Sequence, residues 1–347
     1  MTTNNQIQNL LMNCESSGKT LAYSENEVKM DLKENDIYII SDLHMGEGIQ
    51  KNFSYQGTEN FFADSSFKRF IEHLKKSKSY PNSTLIINGD FVDFVRIASH
   101  PSTNEEFIEW KNILDEIGIS KSIDELRNSI SDKEKKYGLK TDDYKSVWKL
   151  HRAISGHREV FDALSGWLND GNKLIISKGN HDLELYWLAV RNYYRLFFAK
   201  NDFGISDDII KNLEKIVFPN LIFIDDSLLI NEKFYVEHGQ KYDRFTHIVG
   251  GSLLENKKEL NIPFGSFFNR YLLNKVELMY PYADNIRPSQ NILPMLLREK
   301  FFVGLKFLFH HIPFLFLIIP KKYYKYMFQR VFTIALEILI PLIFFVI

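Results

Sequence analysis

A single cysteine, Cys14, stands in 347 residues. One thiol cannot form an intrachain disulfide or a cysteine-based zinc site, and its scarcity suits a reducing compartment. Net charge is −1, so no overall basic field attracts nucleic acid, and no nucleic-acid partner is expected. The first twenty residues are polar, rich in Asn, Ser and Thr, and lack the basic-then-apolar order of a secretory signal. The folded part of the chain is therefore expected in the cytoplasm. Internal repeats and low-complexity tracts are also missing. What remains is an ordinary globular composition, 45% hydrophobic and 25% charged, with length for one or two domains.

Three apolar, β-branched runs share one design. Asp36-Ile37-Tyr38-Ile39-Ile40-Ser41 leads into Asp42-Leu43-His44. Thr84-Leu85-Ile86-Ile87 leads into Asn88-Gly89-Asp90-Phe91-Val92-Asp93, and Lys173-Leu174-Ile175-Ile176-Ser177 into Lys178-Gly179-Asn180-His181-Asp182. A buried strand that stops and then presents a polar residue is how an α/β fold offers acidic groups at the carboxyl edge of its sheet. A fourth run, residues 228–238, ends in His238-Gly239-Gln240.

The rest of the chain fills in around these runs. Residues 1–30 show little hydrophobic periodicity and read as a loose N-terminal arm. Phe67, Phe70, Ile71 and Leu74 recur at helical spacing, and Pro81-Asn82-Ser83 breaks that helix before the next strand. Strand, helix and strand in turn predict a layered α/β fold. Residues 103–150 are charged and helical in patches, at 105–117 and 123–137. They read as a helical insertion that either covers one side of a site or forms a solvated hairpin. Further helices are predicted near 154–168 and 183–200, and residues 221–225 and 228–238 read as two strands of one hairpin.

Asp42-x-His44, Gly89-Asp90-x-x-Asp93, Gly179-Asn180-His181-Asp182 and His238-Gly239 bring together carboxylate, imidazole and amide oxygen. These donors suit Mn²⁺, Fe²⁺ or Zn²⁺. Two such ions about 3.5–4 Å apart would clamp an in-line displacement at phosphorus and lower the pKa of a water between them.

In this order the motifs resemble the calcineurin-like metallophosphoesterases, over roughly residues 35–240. The resemblance implies two packed mixed β-sheets flanked by helices, an αββα sandwich, in a domain spanning 31–300. It implies two divalent metal ions. Asp42 and His44 would bind the first, Asp90 would bridge both, and Asn180 and His238 would bind the second. His181 would protonate the leaving oxygen, oriented by Asp93. The substrate would be a phosphomonoester, phosphodiester or pyrophosphate, on a small molecule or a lipid-linked carrier.

This chain also departs from the pattern. Phe94 stands where the protein-phosphatase branch has a phosphate-gripping arginine, and Arg96 follows two positions on, either as a phosphate contact or as a surface residue. Asn180-His181-Asp182 replaces the Asn-Arg-Asp of lipid A pathway pyrophosphatases. The stretch Gly265-Ser266, Asn269-Arg270, Asn274, Glu277 and Asp284 to Pro288 is similar to a bacterial branch of undefined substrate. The closing Gly-His-x-His motif is absent, and His247, His310 and His311 are the later histidines. Two expectations follow: an active enzyme with a weakened dimetal centre, or a non-catalytic membrane-associated scaffold or shortened member of the family.

Residues 301–347 form the last feature. Lys306, Lys321, Lys322, Lys325 and Arg330 face Glu337 alone among many Phe, Leu and Ile. This reads as an apolar, basic helical tail. Lys321-Lys322-Tyr323-Tyr324-Lys325-Tyr326 suits an anionic lipid surface, and the tail is expected to lie in or dip into a bilayer. Sedimentation with anionic liposomes checks this. The full chain should pellet with them, and a chain that stays wholly in the supernatant without detergent would refute the membrane role.

Overall fold

The computed structural model describes residues 3–278 apart from 25, 50–53, 56, 57, 78 and 201–207. Beyond them it describes residue 286, residues 291–302 and scattered positions as far as 333. The chain divides into two compact units, Met1–Ser266 and Phe267–Ile347.

The first unit contains two β-sheets. Strands β2 (Asn35–Ile40), β3 (Asn82–Asn88), β4 (Lys173–Ser177) and β5 (Leu221–Ile224) form a four-stranded sheet in that order. All its pairs are parallel, in the register Ile39 to Ile86, Ile86 to Ile175 and Ile175 to Ile222. Strands β1 (Val28–Met30), β6 (Ser227–Ile230) and β7 (Phe234–Glu237) form a second sheet, ordered β1-β6-β7. There β1 runs parallel to β6, and β7 antiparallel to it. Two mixed sheets were expected; one is mixed and the other is wholly parallel.

Alternation along the strands sorts the cores. Leu85, Ile87, Leu174, Ile176, Leu221 and Phe223 point to one face and join the large cluster shared with the helices. Ile86, Ile175, Ile222 and Ile224 point to the other and meet Leu228, Ile230, Val28, Met30 and Val236 of the second sheet. The parallel sheet is thus covered on both faces, which is why its central strands read as unbroken apolar runs.

The hairpin lies elsewhere than expected. Residues 221–224 belong to the parallel sheet, and the β-hairpin is β6–β7, from Ser227 to Glu237. Its turn, Ile230-Asn231-Glu232-Lys233, has φ of 52° at Asn231 and 56° at Glu232, with the Lys233 N–H donating to the Ile230 carbonyl at 3.0 Å. Two successive left-handed residues make the tight turn whose twist matches a hairpin. It lacks the glycine that usually announces it, so the sequence reads straight through.

Eight main helices accompany the parallel sheet: α1 (Thr3–Asn13), α2 (Asp64–Lys76), α3 (Asn104–Glu116), α4 (Ile123–Asn128), α5 (Asp132–Tyr137), α6 (Asp143–Gly156), α7 (Arg158–Asn169) and α8 (Leu188–Lys200). The expected helix over 123–137 is two. Ser122-x-x-Glu125 and Ser131-x-x-Glu134 each form a capping box, serine oxygen to glutamate N–H and glutamate carboxylate back to serine N–H. The second box starts a new helix. The insertion is no solvated hairpin, because Trp110, Leu114, Leu126, Val147 and Trp148 are buried in the main core. Within it Lys145 and Glu134 form a buried pair at 2.6 Å, and Lys149 Nζ donates to the Phe94 carbonyl at 3.1 Å. That last bond ties the insertion to the loop after β3.

The second unit contains a helical run, Asn269–Leu273 and Asn274–Glu277, and a helix at Ile292–Glu299. Arg270, Asn274 and Glu277 share one face of the first run and are buried. Most of the basic apolar tail, His310 and His311 included, lies outside the described residues, as do Asp284, Asn285, Arg287 and Pro288. No helix among the described residues is long and apolar enough to cross a membrane.

The N-terminal residues are not a loose arm. Helix α1 buries Ile7 and Leu11 in the main core, and Cys14 follows them. Glu15 then receives a two-pronged bond from Arg191, at 2.8 Å to each oxygen, and a third from Arg195 at 2.7 Å. The periodicity is weak because only one narrow stripe of α1 is apolar. Replacing Leu11 with Ala should cost about 2–5 kcal/mol of unfolding free energy in urea titrations, as deletion of a buried leucine does. A loose arm would give a change near zero.

Candidate metal centre

Parallel pairing sends the loops after β2, β3 and β4 out from one sheet edge. Pairing continues past the strands. The Asp42 N–H donates to the Gly89 carbonyl at 3.2 Å, His44 N–H to Asp90 at 2.9 Å, Asp93 N–H to Met45 at 2.8 Å and Phe94 N–H to His181 at 3.1 Å. These bonds knit the three loops into one surface.

The backbone at that surface is strained. Asp42, His44 and Asp90 have φ of 57°, 50° and 53°, left-handed values that side chains with a Cβ rarely adopt. Such conformations persist where the surroundings enforce them, and they cluster at functional sites. Two glycines permit the close approach. A Cβ on Gly89 would stand 2.4 Å from His238 Nδ1, and one on Gly179 would stand 2.2 Å from Asp90 Oδ1.

Asp90 is the centre of the arrangement. Its Oδ1 accepts the His181 N–H at 2.8 Å. Its Oδ2 lies 3.3 Å from His238 Nε2 and 3.6 Å from His44 Nε2, and His44 Nε2 lies 3.7 Å from Asp42 Oδ1. Ligand atoms bound about 2.0–2.2 Å from one ion stand about 3–3.5 Å apart, so these spacings suit a shared cation better than direct hydrogen bonds. Two groups of three result: Asp42, Asp90 and His238, and His44, Asp90 and His181, each with donor atoms within 4.8 Å of one another. Asp90 belongs to both.

The imidazoles are pre-set. His238 Nδ1 donates to the Asn88 carbonyl at 2.9 Å, which turns Nε2 toward Asp90. Asp93 Oδ2 lies 3.2 Å from His44 Nδ1 and 2.8 Å from His181 Nδ1, so one buried carboxylate orients two rings. A backing acceptor on the far nitrogen fixes tautomer and ring direction, as metal-binding and catalytic histidines require.

Electrostatics follow the geometry. Burial opposes charge on Asp93, yet His181, His44 and Arg96 hold its carboxyl well below the usual range. Burial likewise opposes ionisation of Asp90, and His181, His238 and His44 override it. His181 and His238 are pushed up to about 9, against their burial, by Asp93 and Asp90 for the first and by Asp90 for the second. Asp182 goes the other way. Burial and the Asp90 charge raise it to about 7, although it accepts the Gly179 and Phe91 N–H groups.

Asp42, His44, Asp90, His181, Asp93 and His238 therefore converge. Asn180 is buried between Gly179 and His181, which both abut Asp90, and its carbonyl accepts the Ser266 hydroxyl at 3.1 Å. Asp42 stands near both His238 and His44, and His181 stands near His44 and Asp90. His247 belongs to neither group; its Nδ1 lies 3.3 Å from the Asp243 carbonyl. Arg96 is neither a phosphate contact nor a surface residue. It is buried, with Nε 3.1 Å from Asp93 Oδ2 and Nη1 donating to the Thr58 carbonyl at 3.3 Å. Sequence reasoning gave Asp182 no role, yet it ties the loops after β3 and β4 together. Its place directly after His181 was the available signal.

No protein-family model, curated protein or solved structure matches the chain significantly.

The donors fit a divalent cation, with hard carboxylates, imidazoles backed on their far nitrogens and a shared aspartate. Replacing Gly179 with Ala should push Asp90 aside and weaken Mn²⁺ binding about tenfold or more, read by calorimetry, while the circular dichroism of the fold persists. Unchanged binding would mean that Asp90 is not the ligand.

Proposed function

We propose that the chain is a divalent-metal-dependent phosphoesterase of the calcineurin-like kind, built on an αββα sandwich. The observation that carries this reading is Asp90, shared by two donor groups and backed by the Asp93–His181 pair. Asp42, His44, Asp90 and His238 would hold Mn²⁺, Fe²⁺ or Zn²⁺, with Asn180 contributing its amide. Bound there, such ions supply Lewis-acid stabilisation of phosphoryl charge and an activated water. The protein's own groups do the rest. His44 and His238 turn their Nε2 atoms inward, where loss of the ring proton would free them to bind the ion. His181 carries a proton, held by Asp93, for the departing oxygen, which is general-acid catalysis. A phosphorylated small molecule or lipid-linked substrate fits a protein whose basic, apolar tail meets a membrane surface from the cytoplasmic side.

The test is hydrolysis of an aryl phosphate by metal-loaded protein. Asp90→Asn should lose both metal affinity and turnover. His181→Ala should keep metal content and slow turnover about 10²–10⁴-fold, most for poor leaving groups. Full metal content and full activity in Asp90→Asn would refute the assignment.

A further inference from the structure

One buried cluster beside the centre is unused by the reading above. The segment Thr58-Glu59-Asn60 runs beneath the loops that follow β2 and β3, and Thr58 and Glu59 are buried. The Glu59 carboxylate accepts four backbone N–H groups: Gly46 at 3.1 Å, Gly48 at 2.6 Å, Asn60 at 2.9 Å and Phe61 at 2.8 Å. His157 Nε2 lies 3.2 Å from its Oε2, and His157 Nδ1 lies 2.8 Å from Asp64 Oδ1. The same segment reaches the other loop. Arg96 Nη1 donates to the Thr58 carbonyl at 3.3 Å, the Thr58 hydroxyl donates back to the Arg96 carbonyl at 2.9 Å, and Arg96 Nε faces Asp93.

Gly46 and Gly48 follow His44 by two and four residues. The loop has little freedom there. A Cβ on Gly46 would stand 2.9 Å from the Glu59 carboxylate, and one on Gly48 would stand 2.4 Å from the Gly156 backbone. A buried carboxylate costs several kcal/mol unless it is fully paired. Here its partners are the backbone of the loop that holds His44 in its left-handed conformation. Burial opposes ionisation of Glu59, but His157 and the N–H groups keep its carboxyl below the usual range.

We propose that Glu59 is a positioning residue for the metal centre: it clips the loop after β2 through Gly46 and Gly48, and so fixes His44 Nε2 against Asp90. The inference rests on the phosphoesterase reading for its consequence in catalysis, and on hydrogen bonding alone for its geometry. Glu59 touches neither substrate nor donor atoms; it acts through His44. Gln at 59 turns an amide N–H₂ toward a backbone donor, and Asp at 59 is one methylene too short to span both glycines.

Two readouts test it on the full chain. The first is the ring ¹⁵N shift of His44 in metal-free protein; the second is a Co²⁺ titration followed by visible absorption. In Glu59→Gln the His44 ring signals should move while those of His238 stay. Co²⁺ affinity should fall about 10–100-fold, and kcat should fall with KM little changed. Folded Glu59→Gln with wild-type His44 signals and wild-type Co²⁺ affinity overturns the proposal. Should that variant fail to fold, Glu59→Asp is judged by the same criteria. Wild-type protein that binds no Co²⁺ sinks the phosphoesterase reading, and the His44 signals then still decide the clip.

Discussion

The Asp90 carboxylate is the constraint from which the rest follows. It sits at the end of a central strand, buried, in a left-handed backbone conformation, with Gly179 packed against it. A bare carboxylate there would be costly. The His181 N–H and the imidazoles of His44 and His238 offset that cost, and each arrives on a different loop or strand end. Charge compensation therefore acts as a fold-level restraint. The loops after β2, β3, β4 and β7 must meet within a few ångströms of one oxygen.

Asp93 does the same one layer back. One oxygen faces His44, His181 and Arg96, while the other accepts the Val95 and Arg96 N–H groups. With no exposure and several donors, it cannot rotate freely. Its rigidity passes to two imidazole rings that meet edge to face at 4.7 Å. The carboxylates that raise the histidine pKa values would equally favour a divalent cation in their midst, because the field at that point is negative whichever positive charge answers it.

The strands of the parallel sheet, the terminal motifs and most helices were legible in the sequence, because each depends on neighbouring residues. β4 was readable to the residue, since its apolar centre Leu174-Ile175-Ile176 stands between the turn at Gly171-Asn172 and Gly179. The motif residues were readable as donors. The roles of Arg96, Glu59 and Asp182 were not. Each has at least one partner far along the chain, Arg96 with Thr58, Glu59 with His157 and Asp182 with Phe91, and a buried charge looks like a surface charge until its partner is known. Helix α1 escaped because its stripe is narrow, and the β6–β7 turn because Asn-Glu stands in place of a glycine pair.

The sequence by itself determined which residues can hold a cation and that they lie at the ends of apolar strands. Residue chemistry and local periodicity are written at the spacing of a few residues. Only the tertiary structure decided that one Asp93 carboxylate orients both His44 and His181, that one sheet is wholly parallel, and that the Arg96 guanidinium faces inward. Those outcomes depend on which loops the parallel register brings to one edge, and on the need of each buried charge for a partner. Such a partner is chosen by distance in space, across separations in sequence that local pattern does not reach.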